Sequence, residues 1–196
     1  MFRFVIAALN ELYWRLFWGK TFARHEDVDD FHTNNQVGIG FGMARSKQTL
    51  SLVWSLYSHK RAKDICALDL GCGDGAALRA LQLARFPITL GIEFDAKLVQ
   101  LAKLNNPRSE ILQGDFTDPN FLEGFTYKSK IHFVYAFNPA PGELLCKALV
   151  TISRRNTFTL FLRNPVELET LTNHSELIAE VIKNSNNLAI IRVSAI

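Results

Sequence analysis

Leu68-Asp69-Leu70-Gly71-Cys72-Gly73-Asp74-Gly75 is the stretch that decides how this chain is built. It closes an apolar run, Ile65 to Leu70, and its three alternate glycines lead into a helix-like stretch, Ala76 to Arg85. The order is strand, tight turn, helix. Glycine accepts positive φ and carries no side chain, so the turn can bring bare backbone against a bound molecule. The first N–H groups of the helix point the same way. Asp69 stands just before the turn, where a carboxylate suits a cationic ligand and opposes a pyrophosphate.

Working outward, short apolar runs alternate with helix-like segments. Ile88 to Glu93 ends in an acid, and Asp95 reads as the N-cap of a helix over Ala96 to Leu104. Glu110 to Gln113 is followed by Gly114-Asp115-Phe116. Ile131 to Phe137 has the continuous apolar character of a strand buried on both faces, and it ends in Asn138-Pro139-Ala140-Pro141. Gly142 to Ser153 reads as a helix and Thr157 to Leu162 as a fifth strand. Val166 to Lys183 has helical periodicity, and Leu188 to Val193 is a last strand. This alternation implies an α/β fold with a doubly wound, mostly parallel sheet and helices on both faces. In such sheets ligands bind at the carboxyl ends of the strands.

Asp69 to Gly75, DLGCGDG, resembles the E/D-x-G-x-G-x-G signature of the class I S-adenosylmethionine (SAM)-dependent methyltransferases. The dinucleotide motif G-x-G-x-x-G places its last glycine one residue farther on. The resemblance runs from about Val37 to Leu162 and implies strand order 3-2-1-4-5, with later strands beside the fifth. The family usually ends in two further strands, whereas this chain shows room for one, so a shortened C-terminal edge is expected. SAM is the implied cofactor. The implied cofactor-binding residues are Asp69, Gly71, Cys72, Gly73 and Gly75 in the turn, Glu93 and Phe94 at the ribose, and Asp115 and Phe116 at the adenine. Asn138 and Pro139 resemble the start of the (D/N/S)-P-P-(Y/F/W) motif of enzymes that methylate amide or exocyclic amino nitrogens. They are the implied catalytic pair. Ala140 and Pro141 replace the second proline and the stacking aromatic, which weakens the case for a planar base as acceptor. A protein side-chain nitrogen of the lysine type is therefore the first expectation, with nucleic acid or a small molecule as alternatives. A scaffold that has lost catalysis is a further alternative.

With 196 residues the chain can bury one sizeable core. The expected organisation is an N-terminal helical extension and connector over residues 1–35 and a SAM-binding domain over residues 36–196. The net charge of +3 is mild and does not require nucleic acid as a partner. Cys66, Cys72 and Cys146 show no metal-ligand spacing and read as reduced cysteines of a cytoplasmic protein, and no metal is expected. Met1 to Trp18 is apolar except for Arg3, Asn10, Glu11 and Arg15, which share one helical face. Those four polar groups oppose a transmembrane helix, and the apolar run is short for a signal peptide. Two readings stay open for residues 1–18: a helix lying at a membrane interface, or one packed on the domain or on a partner. Gly38, Gly40 and Gly42 precede a helix-like stretch, Ser46 to His59. In the resembled family a segment at that place closes over the methionine end of SAM.

Overall fold

The computed structural model describes residues 64–137, 139–185 and 188–196. The expectations for residues 1–18, the connector, Gly38 to Gly42, the Ser46–His59 helix and Asn138 lie outside those residues. The strands are Cys66–Leu70 (β1), Ile88–Glu93 (β2), Glu110–Gln113 (β3), Phe133–Phe137 (β4), Phe158–Arg163 (β5), Leu177–Ser185 (β6) and Leu188–Ala195 (β7). The helices are Ala76–Leu83 (α1), Ala96–Asn105 (α2), Gly142–Ser153 (α3) and Leu168–Thr172 (α4), and a 3-10 turn spans Phe121–Gly124.

The described strands form one sheet of order β3-β2-β1-β4-β5-β7-β6. The first five pair in parallel. β7 runs antiparallel between β5 and β6. The central strand β1 is buried along its whole length, as its apolar run, interrupted by Asp69 alone, requires. One face of the sheet packs against α3 through Leu68, Val134, Leu160, Leu145 and Leu149. The other packs against α1 through Ala67, Phe133, Phe161, Leu78 and Leu81. On this second face aromatic rings follow one another along β4 and β5. Phe86 and Phe133 have ring centroids 5.1 Å apart, and Tyr135 stacks on Phe161 at 5.6 Å. Asp95 caps α2 as expected, accepting N–H bonds from Lys97 (2.8 Å) and Leu98 (3.0 Å).

The C-terminal edge corrects two expectations. Only Leu168–Thr172 of the segment Val166 to Lys183 is helical, and Leu177–Ser185 is a strand. The edge is therefore not shortened, because β6 and β7 complete it. β6 is an edge strand, and its register against β7 slips between Val181 and Lys183. The irregularity breaks the two-residue alternation that marks a strand. It leaves Ile178, Val181 and Ile182 exposed at a spacing that imitates a helix.

Candidate active site

The turn after β1 is held from below by backbone. The N–H groups of Gly71 and Cys72 both donate to the Ile92 carbonyl of β2, each at 3.0 Å, and Gly75 N–H donates to the Cys72 carbonyl at 2.9 Å. All three glycines take positive φ: 69° at Gly71, 54° at Gly73 and 85° at Gly75. Their reasons differ. A Cβ at Gly73 would meet no described atom within 4 Å, so this residue faces open space. A Cβ at Gly75 would stand 2.2 Å from Asn106 Nδ2 and 3.2 Å from the Cα of Ala102. Gly73 thus leaves room above the turn, and Gly75 lets the end of α2 pack against it.

Asn105 and Asn106 fasten that packing. Asn105 Nδ2 donates to the Asp74 carbonyl at 3.1 Å. Asn106 Nδ2 donates to the carbonyls of Gly75 (2.9 Å) and Ala102 (3.2 Å). Both asparagines are buried. In sequence, Asn105-Asn106-Pro107 reads only as a helix stop. Nothing in it tells that the amides turn back onto a loop thirty-one residues earlier.

Glu93, at the end of β2, braces the turn from the side. Its Oε2 accepts the Gly73 N–H at 2.9 Å. Its Oε1 accepts the N–H groups of Phe94 (2.8 Å) and Asp95 (3.0 Å). A carboxylate offers about four lone-pair sites, so capacity for a hydroxyl donor remains. Phe94 follows with two-thirds of its surface exposed at the rim.

Asp69 is buried, and its Oδ2 has no hydrogen-bond partner among the described residues. Burial first, then the charges of Glu93 and Asp74, push its carboxyl well above the usual carboxylate range. The groups acting on it are therefore acids, and no described cation offsets them. A solitary carboxylate of this kind is costly unless something positive meets it.

The other expected residues fall into three groups. Pro139 Cβ lies 3.0 Å, and the Phe116 ring edge 4.0 Å, from the place a Gly71 Cβ would take, so the ends of β1, β3 and β4 converge there. Asp115 is exposed, and its Oδ1 is taken by the Thr117 N–H (2.8 Å) and hydroxyl (2.7 Å), which leaves Oδ2. Cys72 turns its side chain away from the open space above the turn. Its thiol packs into the core beneath the turn, against Gly91; its backbone N–H is spent on the Ile92 carbonyl of β2 and its C=O on the Gly75 N–H. Burial pushes the Cys72 thiol up, so it stays protonated. No group of His, Cys, Asp or Glu able to hold a metal ion occurs among the described residues.

A family model described as a methyltransferase domain matches residues 68–139, the span from the glycine turn to Pro139. Residues 68–139 thus read as a methyltransferase domain, carried on the fold of the class I SAM-dependent methyltransferases. Solved structures share its fold. The METTL16 methyltransferase domain is 12% identical over 98% of this chain and 80% of its own, with a TM-score of 0.63. A putative RNA methyltransferase from Pyrococcus horikoshii is 13% identical over 100% and 97%, with a TM-score of 0.55. A ribosomal protein L11 methylase from Lactobacillus delbrueckii subsp. bulgaricus is 10% identical over 76% and 78%, with a TM-score of 0.53. No curated protein matches the methyltransferase by sequence.

The cofactor of the methyltransferase is SAM, and the residues present fit it. The unpartnered Asp69 Oδ2 awaits a positive group, and SAM carries an ammonium and a sulfonium. The space above Gly73 lets a ligand approach the backbone closely.

Proposed function

We propose that this methyltransferase acts on a nitrogen acceptor presented where β4 ends, beside the glycine turn. The unpartnered, acid-surrounded Asp69 under an open turn carries the cofactor side of the reading, and the Asn138-Pro139 resemblance carries the nitrogen acceptor. Bound SAM supplies an activated methyl group on a sulfur that leaves readily. Asp69 and the turn at Gly71 and Gly73 hold the methionine portion. Glu93 accepts from the ribose hydroxyls while it braces Gly73. Asp115 Oδ2 receives the adenine amino group, with Phe116 against the ring. Asn138 and the Pro139 carbonyl accept hydrogen bonds from the acceptor N–H and fix the direction of its lone pair. An acceptor nitrogen so oriented would take the methyl group in line, its lone pair forming the N–C bond as the S–C bond of bound SAM breaks to leave a neutral thioether, and its proton would pass to water. Alignment and exclusion of water supply most of the acceleration, so no general base is required.

A protein amine and a nucleobase amine both meet these requirements. Structural relatives are described as acting on a ribosomal protein and on RNA. The deciding experiment adds radiolabelled SAM to a cell extract containing the protein and digests the product with nuclease or protease. Loss of label to one treatment identifies the acceptor. Asn138→Ala should lower turnover at least tenfold, roughly the loss of one transition-state contact, with SAM affinity little changed. Absence of heat on titrating SAM into the wild-type protein would end the reading. For residues 1–18 the two readings, packing on the domain or a partner and contact with a membrane interface, are separated by liposome co-sedimentation with and without them. No helix among the described residues is long and apolar enough to cross a membrane.

A further inference from the structure

Arg163 is the last residue of β5 and stands in register with Phe137, the last residue of β4. Phe137 directly precedes Asn138-Pro139, and Pro139 touches the glycine turn. The Arg163 guanidinium lies over the Phe137 ring, 5.6 Å from its centroid. Leu160 and Leu162 face α3, and Phe161 faces the opposite side with Tyr135. Strand alternation therefore places Arg163 on the side away from α3 and its Glu143. The packed rings of Phe133, Tyr135 and Phe161 fill the sheet face behind it.

Arg163 is half-buried, and the ion pairs of the described residues do not include it. Other arginines of the domain do find acids: Arg154 pairs with Glu176, Arg155 with Glu123 and Arg192 with Glu180. The chain beyond Arg163 turns away at once. Asn164 takes a φ of 52°, and Val166 N–H donates back to the Asn164 carbonyl at 2.8 Å. The residue that carries the guanidinium is left at the carboxyl end of the sheet, one strand spacing, about 5 Å, from the end of β4.

We propose that Arg163 and Phe137 form the acceptor subsite of this methyltransferase and that it takes a phosphate of a single-stranded nucleic acid, the target being an amino nitrogen of a nucleobase. This inference rests on the nitrogen-acceptor reading above. A guanidinium offers a planar fork of donors that matches phosphate bidentately. A lysine-type ammonium brought to the same place would meet a like charge with no described acid beside Arg163 to offset it. A planar base can stack against the guanidinium–Phe137 pair, which replaces from the strand side the aromatic that the loop lacks at Pro141. The net charge of +3 acts in the same direction. Lys128, Lys130 and Arg155 line a groove at the other end of β4 together with Glu123, which pairs with two of them, and they take no part in this subsite.

The test uses the full chain as wild type, Arg163→Lys, Arg163→Ala and Arg163→Glu. Short fluorescent single-stranded RNA and DNA oligonucleotides are titrated by anisotropy across a salt series, and SAM is titrated by calorimetry. The wild type should bind an oligonucleotide. Arg163→Glu should weaken that binding about tenfold and lower the salt slope by about one, the signature of one lost phosphate contact. Arg163→Lys should retain part of the affinity, and every variant should bind SAM within about twofold of wild type. Binding of SAM without any oligonucleotide would overturn the nucleic-acid subsite and leave the methyltransferase reading standing. Equal oligonucleotide binding by Arg163→Glu, or loss of SAM binding in Arg163→Ala, would also overturn it; the latter would assign the guanidinium to the cofactor carboxylate. An acidic peptide bound in preference to the oligonucleotides would overturn it in favour of a protein acceptor. Failure of the cofactor reading shows separately, as absent SAM heat.

Discussion

Asp69 is the residue whose chemistry is most exposed to test. Its folded-state pKa is raised, by burial before the neighbouring acids. The folded chain therefore keeps a proton that the unfolded chain releases. That contribution to stability is complete at low pH and is lost as pH rises from the usual carboxylate range through the folded pKa. Without SAM, Asp69→Asn should melt above wild type, with a gap that widens as pH climbs out of the usual carboxylate range toward the raised folded pKa, because each unit of raised pKa is about 1.4 kcal/mol. The same variant should bind SAM at least tenfold more weakly, roughly one charge-assisted hydrogen bond. Parallel melting curves across that pH range would contradict the assignment. The glycines separate in the same way. Gly73→Arg should fold and lose SAM binding, because its side chain enters the ligand space. Gly75→Ala should cost about 2 kcal/mol or more in denaturant unfolding, since its methyl group meets Asn106 and the Ala102 backbone. The spacing of the glycines was legible in the sequence, and so was the acid before them. Which glycine serves the ligand and which serves packing was not, because that depends on where the end of α2 arrives.

At the level of elements, α2 acts on the site without touching the ligand space. Its last residue and the one after it hold two carbonyls of the glycine turn. Asn106→Leu keeps the volume and removes both donors. It should raise the SAM dissociation constant about fivefold to tenfold, about the worth of one net hydrogen bond. Saturating SAM should restore full turnover, whereas general damage to the fold would lower turnover as well. β1 to β5 were legible because each is a short apolar run bounded by turn residues, and buried parallel strands have no other way to look. β6 was not. It pairs on one side only, its register slips at Ile182, and its exposed Ile178, Val181 and Ile182 fall at helical intervals. Arg163 was equally hidden, since an arginine at a strand end is unremarkable until its neighbour strand proves to end beside it in register.

For the whole molecule, the order β3-β2-β1-β4-β5 brings four sequence-distant segments to one end of the sheet. Glu93, Phe116, Pro139 and the turn meet there because parallel strands all deliver their carboxyl ends to the same edge. The two apolar layers behind that edge make it a fixed platform. The rigidity of this platform also governs how the molecule ages. Asp74-Gly75 is the one Asp-Gly pair in the chain, and there is no Asn-Gly. In a loose peptide such a pair cyclises when the glycine nitrogen attacks the aspartate side chain, and the ring reopens to isoaspartate. Here that nitrogen is committed to the Cys72 carbonyl, and Asp74 Oδ1 accepts the Ala76 N–H at 3.1 Å. The folded enzyme thus shelters its most perishable peptide bond inside its own active site, and chemical deterioration there should begin only in chains that have already opened.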